Sequence, residues 1–250
     1  RGLGDVYKRQ IIIPSRLDAK RLPNKPLKLI NNKEMILHVY EAAKKSNAGD
    51  VYVATPDQKI IDVINKFGGK VIKTSDKHQT GTDRIYEVFK ETLKGDPNII
   101  VNLQGDMPNI DPENIKDLID YMYLDKCEIG TLASKFISDT ELVDQNVVKV
   151  LVKEKMKPKM FYEALDFVRV LPNTDHQKYH HVGIYAFTNK ALIRYVGLER
   201  SVLELERKLE QLRAMENGMS VHVGYINSLP LSVDTEEDLV NVKKIMEINE

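Results

Sequence analysis

The segment IIIPSRLDAKRLPNKPL, Ile11 to Leu27, decides how the rest of the chain is read. Three consecutive isoleucines have the length and branching of a strand buried on both faces, and Pro14 stops it because proline cannot donate to a sheet ladder. The loop that follows carries Arg16, Lys20, Arg21 and Lys25. Arginine offers a forked donor and lysine a compact charge, and both suit phosphate. Pro23 and Pro26 restrict the backbone and lower the entropy lost on ordering it. A solvated surface loop stiffened by prolines would read the same way. The Walker pattern GxxxxGK[ST] is absent.

Outward from this segment the strand-then-helix unit recurs. Met35–Lys45 predicts a helix with Met35, Val39 and Ala42 on one face, and Asp50–Ala54 a strand. A helix is expected over Lys59–Phe67, with an apolar stripe of Ile60, Val63, Ile64 and Phe67, ending at Gly68-Gly69. Lys70–Lys73 reads as a strand, Asp83–Leu93 as a helix and Ile99–Leu103 as an apolar strand. Such alternation implies a largely parallel sheet covered on both faces, with ligands beyond the carboxyl ends of its strands. There the polar runs Ser15–Lys25, Ser75–Arg84 and Gln104–Pro108 would converge.

The second half is less regular. Strands are expected at Gly130–Phe136, Val147–Val152, Val182–Ala186 and Ser220–Tyr225, with a solvated turn over Lys153–Lys159. A helix is expected over Leu203–Glu216, with Leu205, Leu209, Leu212 and Met215 facing the core and Asn217-Gly218 as its end. Glu237–Ile248 reads as the last helix. No linker divides the chain, so residues 11–250 are read as one domain. The opening RGLGDVYKRQ, residues 1–10, is read as a non-native or disordered leader.

Composition narrows the function classes. With 37 basic and 37 acidic residues the chain carries no net charge, so it lacks the positive field of a nucleic-acid-binding protein. The one cysteine, Cys127, excludes an intrachain disulfide and a multi-cysteine zinc site and reads as a buried structural thiol. Apolar runs are strand-sized, which argues against membrane insertion, and no signal peptide is evident, so a cytoplasmic enzyme is expected.

Four further segments hold candidate chemistry. In VNLQGDMP (101–108), Asp106 follows an apolar strand and Gly105, where a carboxylate can hold a hard divalent ion against a triphosphate or satisfy backbone donors at a plain junction. Gln104 could meet a sugar hydroxyl or cap the strand end. In SVDTEEDL (232–239), Thr235 and Asp238 have the spacing of a capping box, which leaves Asp234 unexplained. Two aspartates at strand ends would make a magnesium site. In HQTGTDR (78–84) the Thr80–Arg84 turn is either a helix start or a nucleobase-reading turn, and His78 is ambiguous. His180 and His181 lack a zinc frame. Glu206 and Glu210 share a predicted helix face, as a solvated face also would.

Taken in order, IIIPSRLDAKRLPNKPL, HQTGTDR, VNLQGDMP, HVGIYAF (181–187), LELERKLEQLR (203–213) and SVDTEEDL closely resemble the 3-deoxy-manno-octulosonate cytidylyltransferase (CMP-Kdo synthetase) family over nearly all the chain after Gln10. The resemblance implies an α/β, Rossmann-like nucleotide-diphospho-sugar transferase fold. Its mixed, mostly parallel central sheet would be flanked by helices, with a small dimerisation and sugar-binding portion. It implies transfer of CMP from CTP to Kdo, with release of pyrophosphate, for lipopolysaccharide assembly by a homodimer. By the family pattern Arg16 and Lys25 would hold the triphosphate, and Asp106 and Asp234 Mg2+. Ser15, Leu17, Thr80, Gly81, Thr82 and Arg84 would lie by the nucleotide, while Gln104, His181, Tyr185, Glu210 and Gln211 would approach the sugar.

Two departures from the family pattern stand out. QGDEP reads QGDMP, with Met107 in place of the acid, and the YFSR-like segment reads KMFYEALDFVRVLP (159–172), without its serine–arginine pair. A cytidylyltransferase for another acidic sugar, amino-substituted Kdo or a sialic-acid-like one, is the enzymatic alternative. An inactive nucleotide-binding or scaffold protein is the other.

Overall fold

A computed structural model describes residues 8–19, 21–124 and 127–248; Lys20 and residues 1–7 of the expected leader lie outside the described residues. Strand β1 spans Arg9–Pro14. Arg9 and Gln10, the last two residues of the expected leader, are part of this strand, and Gln10 lies opposite Asp50 on one side and Ile100 on the other. Backbone pairing on both flanks extends the strand past its apolar stretch, and side-chain hydrophobicity does not announce that.

Contacts divide the chain into two compact units, one up to Lys116 together with the stretch from Pro230, the other from Asp117 to Leu229. The sequence, offering no linker, was read as one domain. In the first unit β1 is followed by a small hairpin of β2 (Leu29–Ile30) and β3 (Lys33–Glu34), then α1 (Met35–Lys45) and β4 (Asp50–Thr55). Helix α2 (Gln58–Lys66), β5 (Val71–Lys73), α3 (Gly81–Glu87), a π turn over Val88–Thr92 and β6 (Ile99–Leu103) complete the series. The strands run in the order β5-β4-β1-β6, all parallel, as the alternation predicts. Ile11, Ile12, Ile13, Ile100 and Val101 are fully buried, which is what continuous apolar runs mean in a sheet covered on both faces. On α1, Met35 and Val39 are buried as expected, and Ala42 nearly so. Phe67, the last residue of the expected α2 stripe, caps the helix at its end and is 42% exposed, with its ring edge-on to Tyr40 at 6.2 Å.

Helix α4 (Pro112–Leu124) leads into the second unit, which the sequence reading left unassigned. There follow β7 (Ile129–Ser134), the single turn α5 (Thr140–Val143), β8 (Lys149–Val152), β9 (Phe161–Val168) and the twelve-residue β10 (Gln177–Thr188). Pairings run β10–β7–β11–β9–β8 and return to β10, with β11 at Val221–Tyr225. Between β10 and β11 lie α6 (Asn189–Val196), α7 (Val202–Arg207) and α8 (Leu212–Glu216). One helix was expected over Leu203–Glu216. The chain instead breaks at Lys208, whose φ is 55°, so Glu206 and Glu210 do not share a face and Leu205 is exposed. The end at Gly218 is as expected: φ is 69°, and Met219 N–H reaches back to the Ala214 carbonyl at 2.9 Å. Met156, inside the expected solvated turn, is buried.

The last helix, α9 (Glu236–Ile248), returns to the first unit. Leu239 and Val242 pack with Val233 against Leu22, Ile30 and Met35, all nearly or fully buried. Lys28 adds an ion pair to Glu236 at 2.8 Å. No helix among the described residues is long and apolar enough to cross a membrane.

Candidate active site

At the carboxyl ends of β1 and β6 the first unit opens a cavity of about 430 Å³. The basic loop forms one wall. Ser15 N–H donates to the Ala54 carbonyl (2.9 Å) and Leu17 N–H to the Asp57 carboxylate (2.9 Å), so the loop is tied to the end of β4. Asn24 takes a left-handed conformation (φ 56°), tolerated by asparagine, and starts a short 3-10 turn, Lys25–Leu27. That turn aims Lys25 inward. Its Nζ donates to Asp106 Oδ2 at 2.8 Å and to Asp234 Oδ1 at 3.1 Å. Burial opposes the Lys25 charge, but the two carboxylates more than offset it and its pKa is raised.

Asp106, just past β6, and Asp234 thus meet on one ammonium, although Asp234 ends an irregular stretch before α9 and not the strand expected there, because the backbone after β11 forms no further ladder. Asp106 stands one residue past Gly105, where a Cβ would come within 3.2 Å of Ile36. Val233 N–H donates to the Asp106 carbonyl at 2.9 Å and fixes the approach of Asp234. Arg21 Nη2 pairs with Asp234 at 3.0 Å. Thr235 and Asp238 form the expected capping box, with Asp238 N–H on Thr235 Oγ1 (3.2 Å) and Thr235 N–H on the Asp238 carboxylate (2.8 Å). Two carboxylates already sharing one ammonium suit a hard divalent cation; among the described residues no group of three or more acidic, histidine or cysteine side chains offers a closed metal centre.

Opposite the basic loop, α3 begins at the predicted turn. Thr80 Oγ1 accepts Asp83 N–H at 3.1 Å, an ordinary N-cap, and also donates to the Asp83 carboxylate. Thr80, Gly81 and Arg84 line the cavity with Gln104. Thr82 does not: it is buried and accepts Asn102 Nδ2 at 3.2 Å, holding α3 on β6. Leu17 does not line it either, and contributes its backbone to the loop anchor. Burial and then the neighbouring Arg16 guanidinium lower the pKa of Arg84, so two cations face each other across a site suited to a polyanion. Ser15 Oγ is buried and finds no partner among the described residues. His78 and Gln79, which the sequence reading left without a role, also line the cavity. Asp57 was missed altogether; the only signal was an acid just past a strand end.

In the second unit His181 and Tyr185 of β10 flank a bulge, since Val182 faces Leu132 but Tyr185 already faces Thr131. Their rings lie 5.5 Å apart, and Phe167 meets His181 edge-on at 5.0 Å. His181 Nε2 lies 3.0 Å from Thr131 Oγ1, which itself lies 2.7 Å from the Ile184 carbonyl. Because the hydroxyl's proton goes to that carbonyl, Nε2–H of His181 donates. Burial, with His180 nearby, pushes the His181 pKa down to about 3. Burial and then the Glu210 carboxylate push Tyr185 upward. Tyr195 hydroxyl donates to the Glu210 carbonyl at 2.8 Å, fixing that backbone. Gln211 is buried, and its Nε2 finds no acceptor among the described residues. His181, Tyr185 and Glu210 are thus neighbours, and Gln211 follows Glu210 directly. Gln104 belongs to the other unit, where its Nε2 donates to Asn102 at 3.0 Å.

The two departures have structural counterparts. Met107 is buried, with 1% exposure. Arg169 directs its guanidinium at the carbonyls of Arg207 (3.1 Å), Gln145 (3.0 Å) and Lys208 (3.4 Å), so it serves the packing of loops.

A parallel α/β sheet with a basic loop, a helix start and two aspartates at its carboxyl edge is the site of a nucleotidyltransferase. The family model described as Cytidylyltransferase matches residues 10–221. A 3-deoxy-manno-octulosonate cytidylyltransferase from Rickettsia bellii (strain OSU 85-389) is 43% identical over 239 residues, 95% of each chain. One from Bartonella henselae is 40% identical over 94% of this chain and 97% of its own. The solved structure of CMP:2-keto-3-deoxy-manno-octonic acid synthetase complexed with CTP superposes with a TM-score of 0.87 at 36% identity, covering 97% of this chain and all of that one. The chain belongs to the 3-deoxy-manno-octulosonate cytidylyltransferase family.

Proposed function

We propose that this chain transfers CMP from CTP to Kdo, giving CMP-Kdo and pyrophosphate, with the triphosphate in the cavity of the first unit and Mg2+ held by Asp106 and Asp234. The observation that carries this reading is the meeting of Asp106, Asp234 and Lys25 at a cation-lined cavity, in a chain that matches a family member over 95% of its length.

The anomeric hydroxyl of Kdo attacks the α-phosphorus of CTP; its oxygen forms the new bond as the bond to the β-phosphate's bridging oxygen breaks. A bound magnesium ion would supply Lewis-acid polarisation of the phosphate and ease loss of the hydroxyl proton. Lys25, Arg16 and Arg21 offset the charge that builds on the departing pyrophosphate. No side chain acts as nucleophile, because alignment and electrostatics carry the displacement. The Thr80–Arg84 turn lies by the nucleotide. Gln104, His181, Tyr185, Glu210 and Gln211 approach the sugar. A neutral His181, its Nε2–H committed to Thr131, offers Nδ1 as an acceptor there and not a charge, and the buried Gln211 amide offers a donor for a sugar oxygen. The enzyme works in the cytoplasm as a homodimer and serves lipopolysaccharide assembly.

Pyrophosphate release with CTP, Kdo and magnesium, with each omitted in turn, tests the reading. Release that needs all three supports it, and none from folded protein sinks it. One observation favours a second reading. Arg169 is committed to backbone carbonyls and does not stand in for the missing serine–arginine pair, which favours a variant acidic sugar as the alternative acceptor. A panel of Kdo, its amino-substituted form and sialic acid separates the two by kcat/KM.

A further inference from the structure

The stretch Ser75–Thr80 supplies His78, Gln79 and Thr80 to the cavity, yet it has no regular structure of its own. Such a segment holds its shape only where its backbone is gripped from outside. Helix α3 supplies the grip from two residues three apart on one face, Arg84 and Glu87. Arg84 Nη1 donates to the Ser75 carbonyl at 2.8 Å and to Thr74 Oγ1 at 2.5 Å. Glu87 takes the other side: Ser75 N–H donates to its Oε2 at 3.0 Å, and His78 Nε2 donates to the same oxygen. Both backbone groups of Ser75 and the ring of His78 are therefore set by α3, while Thr80 caps the same helix. Glu87 does not line the cavity. Its pairing with His78 holds the carboxyl ionised, with burial opposing and the hydrogen bonds from His78 and Ser75 prevailing.

We propose that Glu87 is a positioning residue for the nucleotide, fixing Ser75–Thr80 through Ser75 N–H and His78 so that this wall of the cavity is preformed for CTP. The inference rests on the cytidine-nucleotide reading of the cavity. Preforming a wall removes an ordering cost that CTP binding would otherwise bear, so its loss falls on nucleotide affinity more than on chemistry.

The experiment measures CTP binding by calorimetry for the wild type, Glu87→Ala and Glu87→Gln, with melting temperature and hydrogen exchange of residues 75–80 alongside. Glu87→Ala is expected to weaken CTP by about tenfold and speed exchange of the loop, with kcat at saturating CTP falling by no more than about twofold. Glu87→Gln is expected to restore affinity to within about threefold of wild type, because one amide oxygen can accept both donors. Glu87→Asp, whose carboxylate stops one methylene short, carries the test should the alanine variant not fold: it must bind CTP more weakly than Glu87→Gln. Unaltered CTP affinity in Glu87→Ala, or equal losses in affinity, kcat and melting temperature across the variants, would overturn the proposal. A wild type that binds CTP but releases no pyrophosphate with Kdo defeats the assigned reaction and leaves this inference standing. A wild type that binds no CTP defeats both.

Discussion

Asp106 and Asp234 lie far apart in sequence and meet on one ammonium, Lys25 Nζ, at 2.8 and 3.1 Å. The backbone makes the same connection, since Val233 N–H donates to the Asp106 carbonyl. Each carboxylate is therefore placed by structure that the other's segment helps to build.

Asparagine at either position keeps the shape and removes the charge. Asp106→Asn and Asp234→Asn are each expected to lower kcat/KM for pyrophosphate release by about 100-fold or more. The double variant should lose far less than the product of the two, as groups acting as a unit do. Steady-state assays on protein of unaltered circular dichroism decide it; wild-type rates in either variant would remove that carboxylate from the mechanism.

His181 makes stability depend on pH. Its folded pKa is about 3, against 6.5 for the free side chain, so below 6.5 the unfolded chain takes up a proton that the folded chain refuses. The stability due to its burial is complete above pH 6.5 and is lost as pH falls toward 3. Between pH 7 and 5 this amounts to about 2 kcal/mol, which His181→Gln should not lose. Urea unfolding of both proteins at the two pH values is the measurement. Parallel losses would mean that His181 is protonated inside the fold.

Glu204 and Arg213 form a buried pair at 2.7 Å, and Arg213 stacks on the Tyr195 ring at 4.8 Å. Glu204→Gln leaves a buried guanidinium without its counter-charge and is expected to cost about 3–5 kcal/mol in denaturant unfolding. Since Tyr195 also holds the Glu210 carbonyl, KM for Kdo should rise while KM for CTP stays put. A rise in both would show that the damage is general.

Met107 occupies an apolar position, so restoring the family's acid here has a cost. Met107→Glu is expected to destabilise the protein by about 1–3 kcal/mol or more and leave its carboxyl neutral near pH 7. Thermal melting from pH 5 to 8 checks this: the deficit should widen as pH rises. An equal or higher melting temperature at pH 8 would mean that a donor lies in reach of the new acid.

Much of the first unit was legible because its local and tertiary requirements agree. Continuous apolar runs such as Ile11–Ile13 suit a strand covered on both faces, and Met35, Val39 and Ala42 have the spacing that shares one face of a helix. The capping pairs Thr80–Asp83 and Thr235–Asp238 lie within one turn and need nothing distant. For the same reason the basic loop and both aspartates could be named, and their order along the chain was enough to indicate the family.

Other features were decided only when the chain closed on itself. Leu203–Glu216 has the periodicity of one helix, yet Lys208 adopts a left-handed conformation and buries Leu209 and Leu212 in a new direction. Nothing in the sequence around Arg169 shows that its guanidinium meets the carbonyls of Arg207, Lys208 and Gln145, which come from distant segments. Asp234 reaches Lys25 because Val233, Leu239 and Val242 bury themselves against Leu22, Ile30 and Met35. Local patterning states which residues must leave water, but which surfaces they leave it against depends on contacts between distant segments. The residue types of the site are thus a property of the sequence, and their meeting on one ammonium is a property of the packed core.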